Sequence, residues 1–295
     1  MSATPPAAAE AARETRARRE GTLHDLMRNP TVVAGGALLL VMVALAVLAP
    51  LVFTVDPLRI NPIARLKPPS AEAWFGTDMF GRDVYSRAVY GARSSLTIGL
   101  AVAALSIATG LVVGLVAGYI RLVDAIVMRI MDGVMAIPAI LLAIALVSLS
   151  GSSLATVIVA ITIPEIPRVV RLVRAIVLSI REEPYVEAAI ASGTRLPAIL
   201  RRHVLPNTVA PLIVQATYVC AAAIILEAIL SFLGAGTPPE IPSWGNMIAE
   251  ARTFFQIAPW ILFLPGLLLA LTVLAVNVLG DGLRDSLDPR IARQM

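Results

Sequence analysis

Residues 187–206 read EAAIASGTRLPAILRRHVLP, basic on one side and apolar on the other, between segments apolar enough to cross a bilayer. Glu187 to Ala191 favours helix, and Gly193 interrupts it at a residue able to adopt positive φ. Thr194 then offers an N-cap for a second helix whose first turn tolerates Pro197. Leu196, Ile199, Leu200, His203 and Val204 fall at i, i+3, i+4, i+7 and i+8 and form one apolar face, with Arg195 and Arg202 on another. Pro206 is expected to end this helix. The spacing therefore predicts a short helix, a sharp turn and an amphipathic helix joined to the next span. Two uses fit such a piece. It can lie on lipid headgroups with its arginines toward phosphate, or it can be a rigid knob for a groove in a cytoplasmic partner.

The composition places the chain in a membrane. It is 58% hydrophobic and 15% charged, with a mean hydropathy of +0.82, whereas soluble domains carry about 25% charged residues. The single cysteine, Cys220, rules out a disulfide framework, and the two histidines, His24 and His203, stand too far apart to pair on a metal. The expected metal set is therefore empty, and nothing suggests nucleic acid as a partner. The net charge of +4 says less than the placement of the arginines, which orients the spans.

Residues 1–30 form an Ala- and Arg-rich tail with Arg13, Arg16, Arg18, Arg19 and Arg28. The apolar run that follows, 31–53, exceeds the roughly 7–15 residues of a cleaved signal core and reads as a retained first span starting from the cytoplasm. A polar extracytoplasmic segment follows at 54–94. A second span runs from Ser95 to Ile120, with Gly110 and Gly114 in the small-xxx-small spacing that lets helices approach. The third runs to about Leu149, the fourth from Leu154, the fifth from about Asn207 to Phe232, and the sixth from Ile257 to Leu279. Six spans put the C-terminal tail, 281–295, in the cytoplasm. The inner loops are then rich in arginine, as the rule favours, but Arg59, Arg65, Lys67, Arg82, Arg87 and Arg93 fall outside, against it.

The 187–206 stretch resembles the EAA loop of ABC importer permeases, matching at Glu187-Ala188-Ala189, Gly193 and His203-Val204-Leu205-Pro206. The likeness extends to FGTDMFGRDVYSRAVYGARSSLTIGL (75–100), RLVRAIVLSIREEPYVEAA (171–189), LEAILSFLGAGTPPEIPSWGNMI (226–248) and LGDGLRDSLDPR (279–290). These are similar to the C-type permease subunit of dipeptide, oligopeptide and nickel importers. One departure is Ile166 before Pro167, where that family usually carries Trp.

The resemblance implies an all-α inner-membrane permease with six transmembrane helices and a type I importer core over 95–280, including a cytoplasmic coupling loop at 181–206. It implies a homologous second permease subunit, two cytoplasmic ATPase subunits that hold ATP and Mg, and an extracytoplasmic substrate-binding protein; this chain itself carries no cofactor and is not an enzyme. It makes Glu187, Ala188, Ala189, Gly193, Arg195, Leu196, Ile199, Leu200, Arg202, His203, Leu205 and Pro206 the residues coupled to the ATPase. Which solute is carried, a dipeptide, an oligopeptide, a nickel chelate or another, is left open.

Charged residues in or near spans raise further candidates. Glu165, with Pro167 beside it, either pairs with Arg168 in a kinked helix or lines a gate; Glu227 is either paired or faces a pathway, and Asn277 poses the same question. In the outer segment Asp78, Arg82, Asp83 and Arg87 read as an ion-pair knot supporting the mouth or, with Trp244, as a contact for a binding protein. GTDMFGRD (76–83) resembles a major-facilitator loop, but that family needs about twelve spans. LGDGLRD lacks the G-x-G-D of intramembrane proteases because Val278 stands at its first position, and no nucleophile elbow, HExxH or P-loop occurs. A secondary transporter or channel working without an ATPase is the alternative, and it would rest on Glu165 and Glu227 as mid-membrane groups.

Overall fold

The structure, a computed structural model, describes residues 28–52 and 54–287. Arg13, Arg16, Arg18, Arg19, His24, the end of the first expected span at 53, and Arg290 and Arg293 lie outside the described residues. Among those described, the elements are helices: α1 (Pro30–Val47), α2 (Val84–Tyr119), α3 (Arg121–Met135), α4 (Ala139–Ser150), α5 (Leu154–Arg181), α6 (Pro184–Ala191), α7 (Leu196–Ile199), α8 (Leu205–Phe232), α9 (Trp244–Ala251) and α10 (Trp260–Leu287).

Helix α2 is the axis, packed against α1, α5, α8, α9 and α10. Its seam with α5 is set by side-chain size. A Cβ at Gly110, Gly114 or Gly118 would come within 2.5, 2.7 and 2.7 Å of Val169, Val173 and Val177. The glycine stripe thus extends one turn past the expected pair and lets the two backbones close in. That is how helices gain dispersion energy in lipid, where no hydrophobic drive separates tail from side chain.

Among the described residues, four helices have the length and apolarity to cross a membrane: α1, α2, the Leu196–Phe232 segment and α10. The third expected span differs from its prediction. It is two helices, α3 and α4, bent by 88°, because Pro138 forces Ile137 out of the helical region and cannot itself donate to the preceding turn. Counted as one crossing, this bent pair makes five. Helix α5 falls outside that set because it carries Glu165, Arg168, Arg171 and Arg174, although it runs unbroken through Pro164 and Pro167.

Boundaries also move. Helix α2 begins at Val84, well ahead of Ser95, because Asp83 caps it by accepting from the Ser86 amide (2.8 Å) and hydroxyl (2.6 Å). Helix α10 runs to Leu287, past the expected end of the sixth span at Leu279. The expected break at Pro206 does not occur. Residues 200–204 form a π-turn in which the Leu205 amide reaches back to the Leu200 carbonyl, and the helix continues into α8. The wider turn makes room for a ring that would otherwise press on the carbonyl four residues back. Asn207 Nδ2 donates to the His203 carbonyl at 2.6 Å, giving that acceptor a partner.

Candidate functional site

The segment 184–206 is built as a helix, a turn and a helix fused to a span. Helix α6 starts at Pro184 and ends at Ala191 with Ser192 as its C-cap, and Gly193 has φ +76°, in the left-handed region that glycine enters without steric cost. Its amide and that of Thr194 return to the Ile190 and Ala189 carbonyls at 2.9 and 3.0 Å, closing the helix end. Thr194 is not the cap of the next helix. That position is Arg195, which makes no side-chain cap bond, and Pro197 stands in the first turn as expected.

Burial divides the expected coupling residues. Ile199 is buried, together with Val204 and Val186, in the same apolar core as the spans, so the supposed docking face of α7 is turned into this chain's own bundle. Ala189, Leu196, Leu200, His203 and Leu205 are half-buried. Glu187, Ala188, Gly193, Arg195, Arg202 and Pro206 are exposed. Two apolar residues are exposed beside them, Tyr185 and Ile190, each at 47%; neither was anticipated, although apolar neighbours of E-A-A between two spans were a signal available in the sequence. The Tyr185 ring lies 5.7 Å from His203 and braces α6 against the π-turn.

This segment is tied to the core in two ways. Through the π-turn it is continuous with α8, one 37-residue stretch from Leu196 to Phe232. Just before it, Arg181 reaches the last carbonyls of α2 at Gly118 and Tyr119 (3.4 and 3.5 Å) and lies over the Tyr119 ring at 5.5 Å, a favourable place for a cation. A cavity of about 360 Å³ between these helix ends is lined by Arg121, Asp124, Arg181, Glu182 and Glu187. Two ion pairs hold α3 on α5: Arg174 with Asp124, and Arg171 with Asp132 at 2.5 Å.

At the other end of the bundle, charged residues are turned inward. Arg82 holds Asp78 at 2.5 Å and Glu250 at 2.6 Å, and Arg87 stands 3.6 and 3.5 Å from the same two carboxylates. Asp78, Arg82 and Arg87 are buried. The fourth member of the knot is Glu250 from α9, not Asp83, which is spent on capping α2. Glu250 sits 168 residues from Arg82 in sequence, and only the fold pairs them. Trp244 is fully buried, donating its indole N–H to the Ala88 carbonyl at 2.9 Å, so it packs α9 onto α2 and is no contact for an external protein.

Glu227 is also structural in its contacts. Fully buried on α8, it accepts from Ser231 and Ser243 at 2.9 Å each; Ser243 in turn caps α9. Gly245 lies so close that a Cβ there would stand 3.0 Å from both Glu227 oxygens. Glu165, buried among the prolines Pro164 and Pro167, is chelated by Arg168 Nη1 at 2.9 and 3.1 Å. Asn277 is half-buried on α10.

Two further cavities flank α8. One of about 630 Å³ at its N-terminal half is lined by Asn207, Pro211, Gln215, Tyr218, Arg284 and Leu172. The other, about 550 Å³ at its C-terminal end, is lined by Ser152, Ser231, Asn246, Glu250 and Arg252. Asn207, Gln215 and Tyr218 were not anticipated, and polar residues within an apolar span are the signal that points to them.

Comparison with known proteins agrees with this architecture. Residues 110–293 match the model of the binding-protein-dependent transport system inner membrane component, and residues 20–69 match that of the N-terminal TM domain of oligopeptide transport permease C. A probable peptide ABC transporter permease of Sinorhizobium fredii is 54% identical over 267 residues, 90% of this chain and 91% of that one. A dipeptide transport system permease of Alkalihalophilus pseudofirmus is 44% identical, covering 90% and 88%, and a glutathione transport system permease of Pectobacterium atrosepticum is 42% identical, covering 90% and 89%. A bent, glycine-seamed helical bundle with an E-A-A turn fused to its longest apolar stretch is thus found in a chain that belongs to the binding-protein-dependent transport system inner membrane components, the permease subunits of ABC transporters.

Proposed function

We propose that this chain is the permease of an importer for peptides, forming the pathway with a homologous second permease and driven by two cytoplasmic ATPase subunits that bind ATP and Mg. An extracytoplasmic binding protein delivers the solute, and both chain termini lie in the cytoplasm. The observation that carries the reading is the fusion of the exposed E-A-A turn to α8. Glu187, Ala188, Arg195, Arg202, Tyr185 and Ile190 offer a mixed charged and apolar surface of the kind a groove can hold. A displacement of that turn has no flexible link in which to dissipate. It passes along α8, which borders cavities at both its ends, and through Arg181 to the end of α2. Closure of the ATPase pair on ATP would then shift the bundle between inward-open and outward-open populations. Peptides as the cargo rest on the names of the relatives. An ion-coupled carrier is disfavoured because Glu165 and Glu227, its only mid-membrane candidates, are held by Arg168 and by two serines.

Co-expression with the ATPase subunits of its own transport system, followed by affinity purification through this chain, tests the reading. The ATPases should accompany the native chain and be lost with Glu187→Arg, alone and combined with Gly193→Pro. A native chain that folds and carries down no ATPase would sink the proposal.

A further inference from the structure

Among the polar side chains of α8, one stands apart. Asn207, Thr208 and Thr217 donate to carbonyls one turn back, at 2.6, 2.8 and 2.7 Å. Tyr218 donates its hydroxyl to Asp281 on α10 at 2.6 Å, and Ser231 donates to Glu227 at 2.9 Å. Gln215 is half-buried, yet its side chain makes no hydrogen bond among the described residues. An amide drawn out of water without a partner is costly, and here its acceptor oxygen and its NH2 donor are both unused.

Gln215 lies on the wall of the cavity of about 630 Å³, with Asn207 and Pro211 at successive turns of the same α8 face and Arg284 opposite on α10. That volume lies within the roughly 300–1,000 Å³ of pockets that enclose small ligands. Register sets what faces the amide. Helices α8 and α10 run antiparallel, joined through α9 at the end of the bundle where α2 begins. They close on each other where a Cβ at Gly280 would collide with Thr217, next to the Tyr218–Asp281 bond. One turn on from that bond in each helix, Gln215 comes level with Arg284. Tyr218 uses one oxygen of Asp281 and leaves the other. Asp281 and Arg284 are both exposed, and side chains one turn apart on a helix start about 5–6 Å from each other. The two ends of an extended dipeptide, at most about 7 Å apart, match that spacing.

We propose that this cavity is a transit site for short peptides with free termini. Gln215 pairs with the peptide bond, Arg284 takes the C-terminal carboxylate by charge-assisted hydrogen bonds, and Asp281 takes the N-terminal ammonium. The site rests on the peptide-import function proposed above and adds to it the residues that touch the solute inside the bundle. An amide that no group of the chain satisfies lowers the stability of the resting protein, a cost that functional sites carry and packing sites do not.

That cost supplies the test. Gln215→Leu keeps the bulk and removes an amide that holds nothing in place. The assembled transporter carrying it, in vesicles with its ATPases and binding protein, should melt at or above the native temperature. Its ATP-driven uptake of a dipeptide should fall roughly three- to tenfold, as for one lost pair of hydrogen bonds. Occupancy is read separately, without ATP or binding protein. Gln215→Cys in a Cys220→Ala background should react with a maleimide, and millimolar dipeptide should slow that reaction on this chain. The same dipeptide amidated at its C-terminus should protect less, and Arg284→Gln should erase the difference. A lower melting temperature for Gln215→Leu would make the amide structural, and undiminished uptake would put it off the path. A maleimide reaction that peptide leaves unchanged would mean that nothing binds there, and no reaction at all that lipid or another subunit fills the cavity. Each of these overturns the site, and equal protection by the amidated peptide overturns the role of Arg284. A native transporter that takes up no peptide in the same vesicles would instead sink the peptide-import function itself, so the two failures are told apart.

Discussion

The two ends of this bundle use the same residue types in opposite ways. At the end where α2 begins, Asp78, Arg82, Arg87 and Glu250 are drawn together with almost no exposure, and Glu227 is closed in by Ser231 and Ser243. At the opposite end Glu187, Arg195, Arg201 and Arg202 are all exposed. Taking charge out of water is costly unless each group finds a partner, so the outer knot acts as a clasp that locks α9 onto α2. Charges left in water cost nothing to keep and stay available to another molecule. The contrast separates a part of the fold from a surface that waits for a partner.

Substitutions can break this comparison, and the largest effect belongs to the clasp. Arg87→Met leaves Asp78 and Glu250 sharing Arg82 alone, and should destabilise the protein by about 3–5 kcal/mol, as for other buried pairs that lose one member; denaturant unfolding in detergent micelles would read it. Next comes the α2–α5 seam. Gly114→Val must push against Val173 and the Val170 carbonyl, costing about 1–3 kcal/mol by overpacking, visible as a lower melting temperature. Glu227→Ala should follow, at about 1–3 kcal/mol for stranding two buried hydroxyls, and protease sensitivity at the α8–α9 loop should rise with it. Glu227→Gln, which keeps an acceptor for both serines, should cost less, and an equal loss would show that the charge matters more than the bonds. The smallest stability effect should come from Glu187→Arg, within about 0.5 kcal/mol as for other exposed sites, while abolishing ATPase co-purification. If instead it unfolded the chain, the division between clasp and waiting surface would be wrong.

Much of this was legible in the residues. Gly193 could be read as a turn because no other residue type enters that backbone region so cheaply, and Gly110 and Gly114 could be read as a contact because small residues four apart share one face. Both are local statements, and local geometry decides them. Asp78, Arg82 and Arg87 were readable as a cluster because they lie within one outer segment. Glu250 was not, since it comes from another helix far along the chain.

The sequence alone determined the helical membrane character, the glycine seam, the E-A-A turn and the bias of positive charge, because composition and short-range spacing act directly on hydration, backbone freedom and side-chain direction. The tertiary structure alone decided that Pro138 makes a right-angled bend while Pro164, Pro167 and Pro206 are passed through, that Ile199 faces inward, and that Arg93 caps α1 by donating to the Ala46 and Val47 carbonyls. Each of these outcomes depends on what packs beside the residue. A proline stays within a helix where neighbouring groups and a widened turn accommodate its ring, and an arginine can be held outside the membrane where carbonyls or carboxylates are brought to meet it.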